Sequence, residues 1–231
     1  MAFLALAMDY DGTIAQDGVV DAPTIAALER LRGADRRLVL VTGREVGDLS
    51  RCLPQMALFD WIVAENGALL NRPATQETRM LAPPVPEALS ARLREIGVEP
   101  LSVGQSIVAT TTSNNLIVQA ALDELGLTHE IILNKGSLMI LPSGTNKGTG
   151  LFAALAELGV KAKETIAVGD AENDLPFLNL CGMRVAVANA LPLLKEQADL
   201  VTEGARGAGV VELIDLPVYA LFSASLSWHI S

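Results

Sequence analysis

Apolar and polar positions alternate along this chain in two distinct styles. In the first eighty residues, and again after residue 143, short continuous apolar runs stop abruptly at polar turns. Ala2–Met8 is such a run and ends at Asp9-Tyr10-Asp11-Gly12-Thr13, the pattern of a buried strand opening into a turn. Asp21 then offers a helix N-cap, Pro23 sits in the first turn, and Ile25, Leu28 and Leu31 keep helical spacing up to Gly33. Leu38–Val41 predicts a second buried strand, ending at Thr42-Gly43-Arg44. A short helix over Val46–Leu53 follows, closed by Pro54. Trp61–Ala64 predicts a third strand, and Glu65-Asn66-Gly67 a hairpin-like turn into Ala68–Leu70.

The middle reads differently. Pro83, Pro84 and Pro86 precede an amphipathic helix over Glu87–Ile96, then two strand-like runs near Pro100–Val103 and Ser106–Thr112. A helix over Asn115–Leu125 and two strands, Thr128–Asn134 and Ser137–Leu141, complete an α-β-β-α-β-β order, with Lys135-Gly136 as a hairpin turn. After Pro142 the first style returns. Helices are predicted over Lys147–Leu158, Asn173–Leu180, Leu191–Gln197 and Gly209–Leu213, and strands over Thr165–Val168, Val185–Ala188 and Leu200–Val201. Alternating β and α units imply an α/β fold, a Rossmann-like doubly wound parallel sheet built from 1–80 and 143–231. A small α+β unit over 81–142 is inserted into it.

Composition narrows the function. Half of the 231 residues are hydrophobic but only 4% aromatic, as an aliphatic parallel-sheet core requires. The net charge is −10, from 27 acidic and 17 basic residues, and no Lys/Arg-rich run occurs, so a nucleic-acid partner is not expected. A phosphate site in so acidic a chain must be a local positive island, which a metal ion would supply. Cys52 and Cys181 have neither CxxC nor zinc spacing and read as free buried thiols in a reducing cytoplasm. Met1–Met8 lacks a basic region and reads as a core strand. The apolar stretch Leu216–Ile230 is interrupted by Ser223, Ser225, Ser227 and His229 and is too short to span a bilayer; it suggests a packed terminal element or a homodimer contact.

The chemistry gathers where apolar runs end, because open parallel sheets bind ligands beyond the carboxyl ends of their strands. Asp9 and Asp11, Thr42, Lys147, and Asp170 with Asn173 and Asp174 occupy such ends or the helix starts that follow. A carboxylate attacking a phosphoryl group brings two anions together, so a cation must screen them. Mg²⁺ takes near-octahedral oxygen ligands, which Asp9, Asp170 and a carbonyl near Asp11 would provide. Thr42 and Gly43 offer a hydroxyl and an N–H to phosphate oxygens, and Lys147 a compact cation at a helix start. Asp11 stands two residues from Asp9, placed to protonate a leaving alcohol and later deprotonate a water. Taken singly each feature has an ordinary reading: turn former, N-cap, solvated lysine. For Arg44, substrate contact and surface ion pair weigh equally, and His129 in the insert reads as a half-buried strand histidine.

Together, Asp9-Tyr10-Asp11-Gly12-Thr13, Thr42-Gly43-Arg44, Lys147 and Gly169-Asp170-Ala171-Glu172-Asn173-Asp174 resemble the four motifs of the haloacid dehalogenase superfamily over about residues 1–215. The insert resembles the type IIB cap of Cof-like sugar-phosphate phosphatases, in the short form of phosphoglycolate and sucrose-phosphate phosphatases. The resemblance implies a magnesium-dependent phosphatase for small phosphorylated metabolites, with Asp9 as nucleophile and Asp11 as general acid/base. It implies phosphate binding by Thr42, Gly43, Lys147 and Asn173, metal binding by Asp9, Asp11 and Asp170, and support from Asp174 and Arg44. Phosphosugar mutase activity, or a binding module without turnover, are the alternatives; product analysis separates the first, and the intact Asp9/Asp11/Lys147/Asp170 set weighs against the second.

Overall fold

The computed structural model describes residues 3–216. The first run forms β1 (Ala5–Asp9), every residue of it buried. Then come α1 (Ala22–Gly33), β2 (Arg37–Val41), α2 (Val46–Cys52), β3 (Trp61–Ala64), β4 (Leu69–Arg72) and β5 (Glu77–Met80). The inserted unit contains α3 (Glu87–Glu95), β6 (Ser102–Val103), β7 (Val108–Thr111), α4 (Asn115–Glu124), β8 (His129–Asn134) and β9 (Ser137–Pro142). The chain returns with α5 (Lys147–Leu158), β10 (Thr165–Gly169), α6 (Leu175–Leu178), β11 (Met183–Ala186), α7 (Pro192–Gln197), β12 (Leu200–Val201) and α8 (Gly207–Asp215).

The large sheet has the order β12-β11-β10-β1-β2-β3-β4-β5. Its first six strands run parallel, and β4 and β5 close one edge antiparallel. β1 lies at the centre, paired Met8 to Val168 on one side and Asp9 to Val41 on the other. That register brings the segments following β1, β2 and β10 out at one edge. Helix α5 packs over β2 and β3, and α1 meets α8. A separate antiparallel sheet, β6-β7-β9-β8, carries α3 and α4 over its own small core of Leu89, Leu93, Val118, Leu122, Leu138 and Ile140. A third cluster, of Ala68, Ala82, Ile107, Met139 and Leu141, fills the seam between the two units.

Two local expectations change. Strand β5 was not anticipated: all four of its residues are exposed at a sheet edge, so no buried face imposed a hydrophobic period. The helix expected over Asn173–Leu180 is shorter, a 3₁₀ turn over Glu172–Asp174 running into α6. Pro176 lies in the first turn of α6, and Asp174 spends its side chain on the preceding loop. Cys52 and Cys181 are both free and partly buried, and burial pushes the Cys181 thiol up to about 12. The apolar C-terminal stretch beyond Leu216, His229 included, lies outside the described residues. Among those described, no helix is long and apolar enough to cross a membrane.

Candidate active site

Side chains far apart in sequence converge beyond the ends of β1, β2 and β10. Asp9 closes β1, Thr42 follows β2, and Asp170 follows β10; all three are buried, as are Lys147, Asn173 and Asp174. Lys147 is the first residue of α5. Asn146 caps that helix by accepting the N–H groups of Gly148 and Thr149 at 2.9 and 3.1 Å, and the Thr149 hydroxyl accepts back from Asn146 N–H at 3.1 Å. This capping box satisfies the orphan donors of the first turn and fixes where Lys147 starts. Its ammonium donates to Asp9 Oδ1 and Asp174 Oδ1, both at 2.6 Å.

Oxygens of Asp9, Asp170 and Asp174 all lie within 4.8 Å of one another. The three are not equivalent. Asp174 is committed on both oxygens: Oδ2 accepts the N–H groups of Asp170 and Ala171 at 2.8 and 3.0 Å, and Oδ1 takes Lys147. It therefore shapes the loop that carries Asp170. Asp170 receives the Thr13 hydroxyl on Oδ1 at 3.3 Å and the Lys135 ammonium on Oδ2. Asp9 accepts only from Lys147 among the described residues, leaving Oδ2 uncommitted.

Burial pushes Asp9 well above the usual carboxylate range and the charge on Asp174 adds to it, while Lys147 pulls the other way. Asp170 is raised too, chiefly by burial and opposed by Lys135. Burial alone would lower Lys147, but Asp174 and Asp9 outweigh it and the ammonium is held above its ordinary value. Asp9, with one oxygen free, and Asp170, whose oxygens meet only side-chain donors of Thr13, Lys135 and Asn189, are buried hard donors that suit a small divalent cation, so the residues present fit Mg²⁺.

Asp11 does not join this cluster. Its half-exposed carboxylate is gripped by Arg44, with Nε and Nη2 donating at 2.7 and 2.8 Å. Arg44 also donates to Asp48 at 2.7 Å and lies over the Tyr10 ring, so of its two sequence readings the structure displays the ion pair. Thr42 Oγ1 accepts the Arg44 N–H at 3.1 Å, tightening the turn that contains Gly43. Asn173 donates to Asn66 at 3.3 Å, and its buried Oδ1 has no hydrogen-bond partner.

Sequence reasoning passed over four residues here. Lys135, at the tip of the β8–β9 hairpin, reaches Asp170 from the inserted unit; turn chemistry explained it locally, and nothing nearby in sequence betrayed its target. Asn189 donates to the Gly12 carbonyl at 2.8 Å and accepts the Arg206 N–H at 2.7 Å. For Glu65 and Asn66 the sequence indicates only a turn. Gly12 itself has φ +89°, and a Cβ there would stand 2.2 Å from Asp170 Oδ2, so any side chain would displace the carboxylate. Cavities of about 260 and 360 Å³ open on either side of the seam, one lined by Lys147, Asn173 and Asn66, the other by Gly43, Arg44 and Ser102.

Known proteins are similar to this chain over most of its length. Phosphoglycolate phosphatase 2 of Saccharolobus solfataricus is 30% identical over 224 residues, covering 92% of this chain and 91% of that protein. The phosphoglycolate phosphatase of Methanothermobacter thermautotrophicus is 31% identical over 220 residues, covering 91% and 96%. A haloacid dehalogenase-like hydrolase from Bacteroides thetaiotaomicron has the same fold, with a TM-score of 0.77 at 20% identity over 92% of this chain and 98% of its own. The family pattern of the haloacid dehalogenase-like hydrolases runs through residues 6–96 and 102–214, and the chain belongs to that family.

Proposed function

We propose that this enzyme hydrolyses small phosphate monoesters with Asp9 as the nucleophile. The observation that carries the reading is the Lys147 ammonium shared at 2.6 Å between Asp9 and Asp174, beside Asp170, at the open end of the sheet. An Asp9 oxygen attacks phosphorus, and the bond from phosphorus to the substrate alcohol breaks. Asp11 gives its proton to that alcohol. Water then attacks the phospho-aspartate, Asp11 takes the water's proton, and phosphate leaves with Asp9 restored. For this Asp11 exchanges its Arg44 contact for the substrate. Thr42, Gly43, Lys147 and Asn173 hold phosphate oxygens, Asn173 through its side-chain N–H₂. Asp9, Asp170 and a carbonyl near Asp11 would hold Mg²⁺, which would supply charge neutralisation for the two anions.

The boundaries belong to the same proposal: a core of 1–80 and 143–231 and a cap of 81–142. The separate hydrophobic clusters support it. Among small metabolites, the structure favours a phosphorylated carboxylic acid over a neutral sugar phosphate. Lys135 brings a second ammonium from the cap to the mouth of the site, where it meets a substrate carboxylate as readily as it meets Asp170. The similar proteins named for phosphoglycolate agree with that preference. The two free thiols suit a reducing cytoplasm. The test is phosphate release from a panel of phosphorylated metabolites, with Mg²⁺ and with EDTA, for the wild type beside Asp9→Asn. Metal-dependent release by the wild type alone is expected; isomerised phosphosugar without free phosphate would overturn hydrolysis.

A further inference from the structure

Glu65 stands just past β3 on the core, yet its carboxylate serves the cap. Oε1 accepts the N–H of Gln105 at 3.0 Å, and Oε2 accepts those of Ser106 and Ile107 at 2.7 and 3.1 Å. Three successive amides converging on one carboxylate resemble the backbone concavities that bind anions, here filled by the chain itself. Glu65 is only 1% exposed, and it and Asn66 both have positive φ, 48° and 55°. Such a backbone is held only where its surroundings demand it. At Gly104 a Cβ would stand 2.9 Å from the Glu65 carboxyl, so the loop reaches its anchor only because that position has no side chain.

The backbone of the same turn points the other way. Glu65 N–H donates to the Arg44 carbonyl at 3.0 Å and Asn66 N–H to the Thr42 carbonyl at 3.0 Å, the two residues flanking Gly43. The loop it grips is tied to the connection into the cap: Ser106 Oγ donates to the Ala82 carbonyl at 3.2 Å and Val85 N–H to the Gln105 carbonyl at 2.8 Å. One residue thus links the Thr42-Gly43-Arg44 turn to the connection into the cap.

We propose that Glu65 is a positioning residue that sets where the cap sits over the Thr42-Gly43-Arg44 turn. The inference rests on the phosphatase reading. Glu65→Gln keeps the size of the side chain but replaces one acceptor by an amide that faces backbone donors. Gly104→Ala disturbs the same joint from the cap side and leaves Glu65 intact. Both variants are compared with the wild-type enzyme and Mg²⁺ for kcat/KM on 2-phosphoglycolate and for competitive inhibition by inorganic phosphate. Hydrogen exchange is followed at residues 105–107. Both are expected to lose at least 10-fold in kcat/KM, to shift phosphate inhibition less than 3-fold, and to exchange faster at 105–107. Equal losses in turnover and phosphate affinity would assign Glu65 to the core turn alone and overturn the proposal, as would unchanged turnover with unchanged exchange. A wild type that releases no phosphate from any monoester would instead fail the phosphatase reading.

Discussion

Lys135 and Asp170 meet across the seam between the two sheets: an ammonium on the tip of a cap hairpin donates to a carboxylate that is wholly buried in the core. Lys135 is 39% exposed and carries its backbone at φ 45° in the tight turn between β8 and β9. If its partner in turnover is a substrate carboxylate, Lys135→Met should lower kcat/KM for 2-phosphoglycolate about 10- to 100-fold, the worth of one charge-assisted hydrogen bond. A monoester with a neutral alcohol portion should change by less than about 3-fold. Parallel losses on both substrates would show that Lys135 serves the metal or phosphate instead.

Asp9→Asn separates chemistry from folding. The amide is a poor nucleophile, and turnover should fall by at least about 10³-fold. Asp9 is raised by burial and by Asp174, so losing its charge removes a repulsion, and thermal stability without metal should hold or rise. A variant that kept wild-type rates would end the phospho-aspartate mechanism.

Lys147→Met tests the opposite charge. The ammonium is buried, and its two partners, Asp9 and Asp174, are buried with it. Deleting one member of a buried ionic set leaves its partners uncompensated, a cost of about 3–5 kcal/mol. Urea unfolding in EDTA should show a loss of that size, alongside lost activity. A loss below about 1 kcal/mol would mean that protons take over the neutralisation.

The metal-free protein should become less stable as pH rises. Asp9 and Asp170 both have folded-state values above the unfolded reference of 3.8, so their contribution is fully present below that value and is lost as pH climbs through the raised ones. A bound divalent cation needs the ionised forms, so stabilisation by Mg²⁺ should grow over the same interval. Melting temperatures measured with Mg²⁺ and with EDTA from pH 4 to pH 8 check this. A constant difference across that range would contradict the assignment of these carboxylates as ligands.

Much of this molecule was legible from local pattern. Short apolar runs bounded by turn signals fit buried parallel strands, and the polar residues that stop them then lie at strand ends, which brings Asp9, Thr42 and Asp170 to one edge. Asn146 and Thr149 fix the start of α5, and with it Lys147, through hydrogen bonds spanning three residues. The order of elements in the cap followed from its two periodicities for the same reason.

What only the tertiary structure decided is which way side chains turn once the strands are in register. Asp11 leaves the cluster for Arg44, and Asp174 enters it by bonding the loop before it. Lys135 and Glu65 act across 35 and about 40 residues, on partners that belong to the other unit. A turn sequence states that the chain reverses; it holds no information about what the reversed chain will face. That depends on the packing of two separate cores against one seam, where Met139, Ile107 and Ala82 fix the distance across which those polar groups can reach.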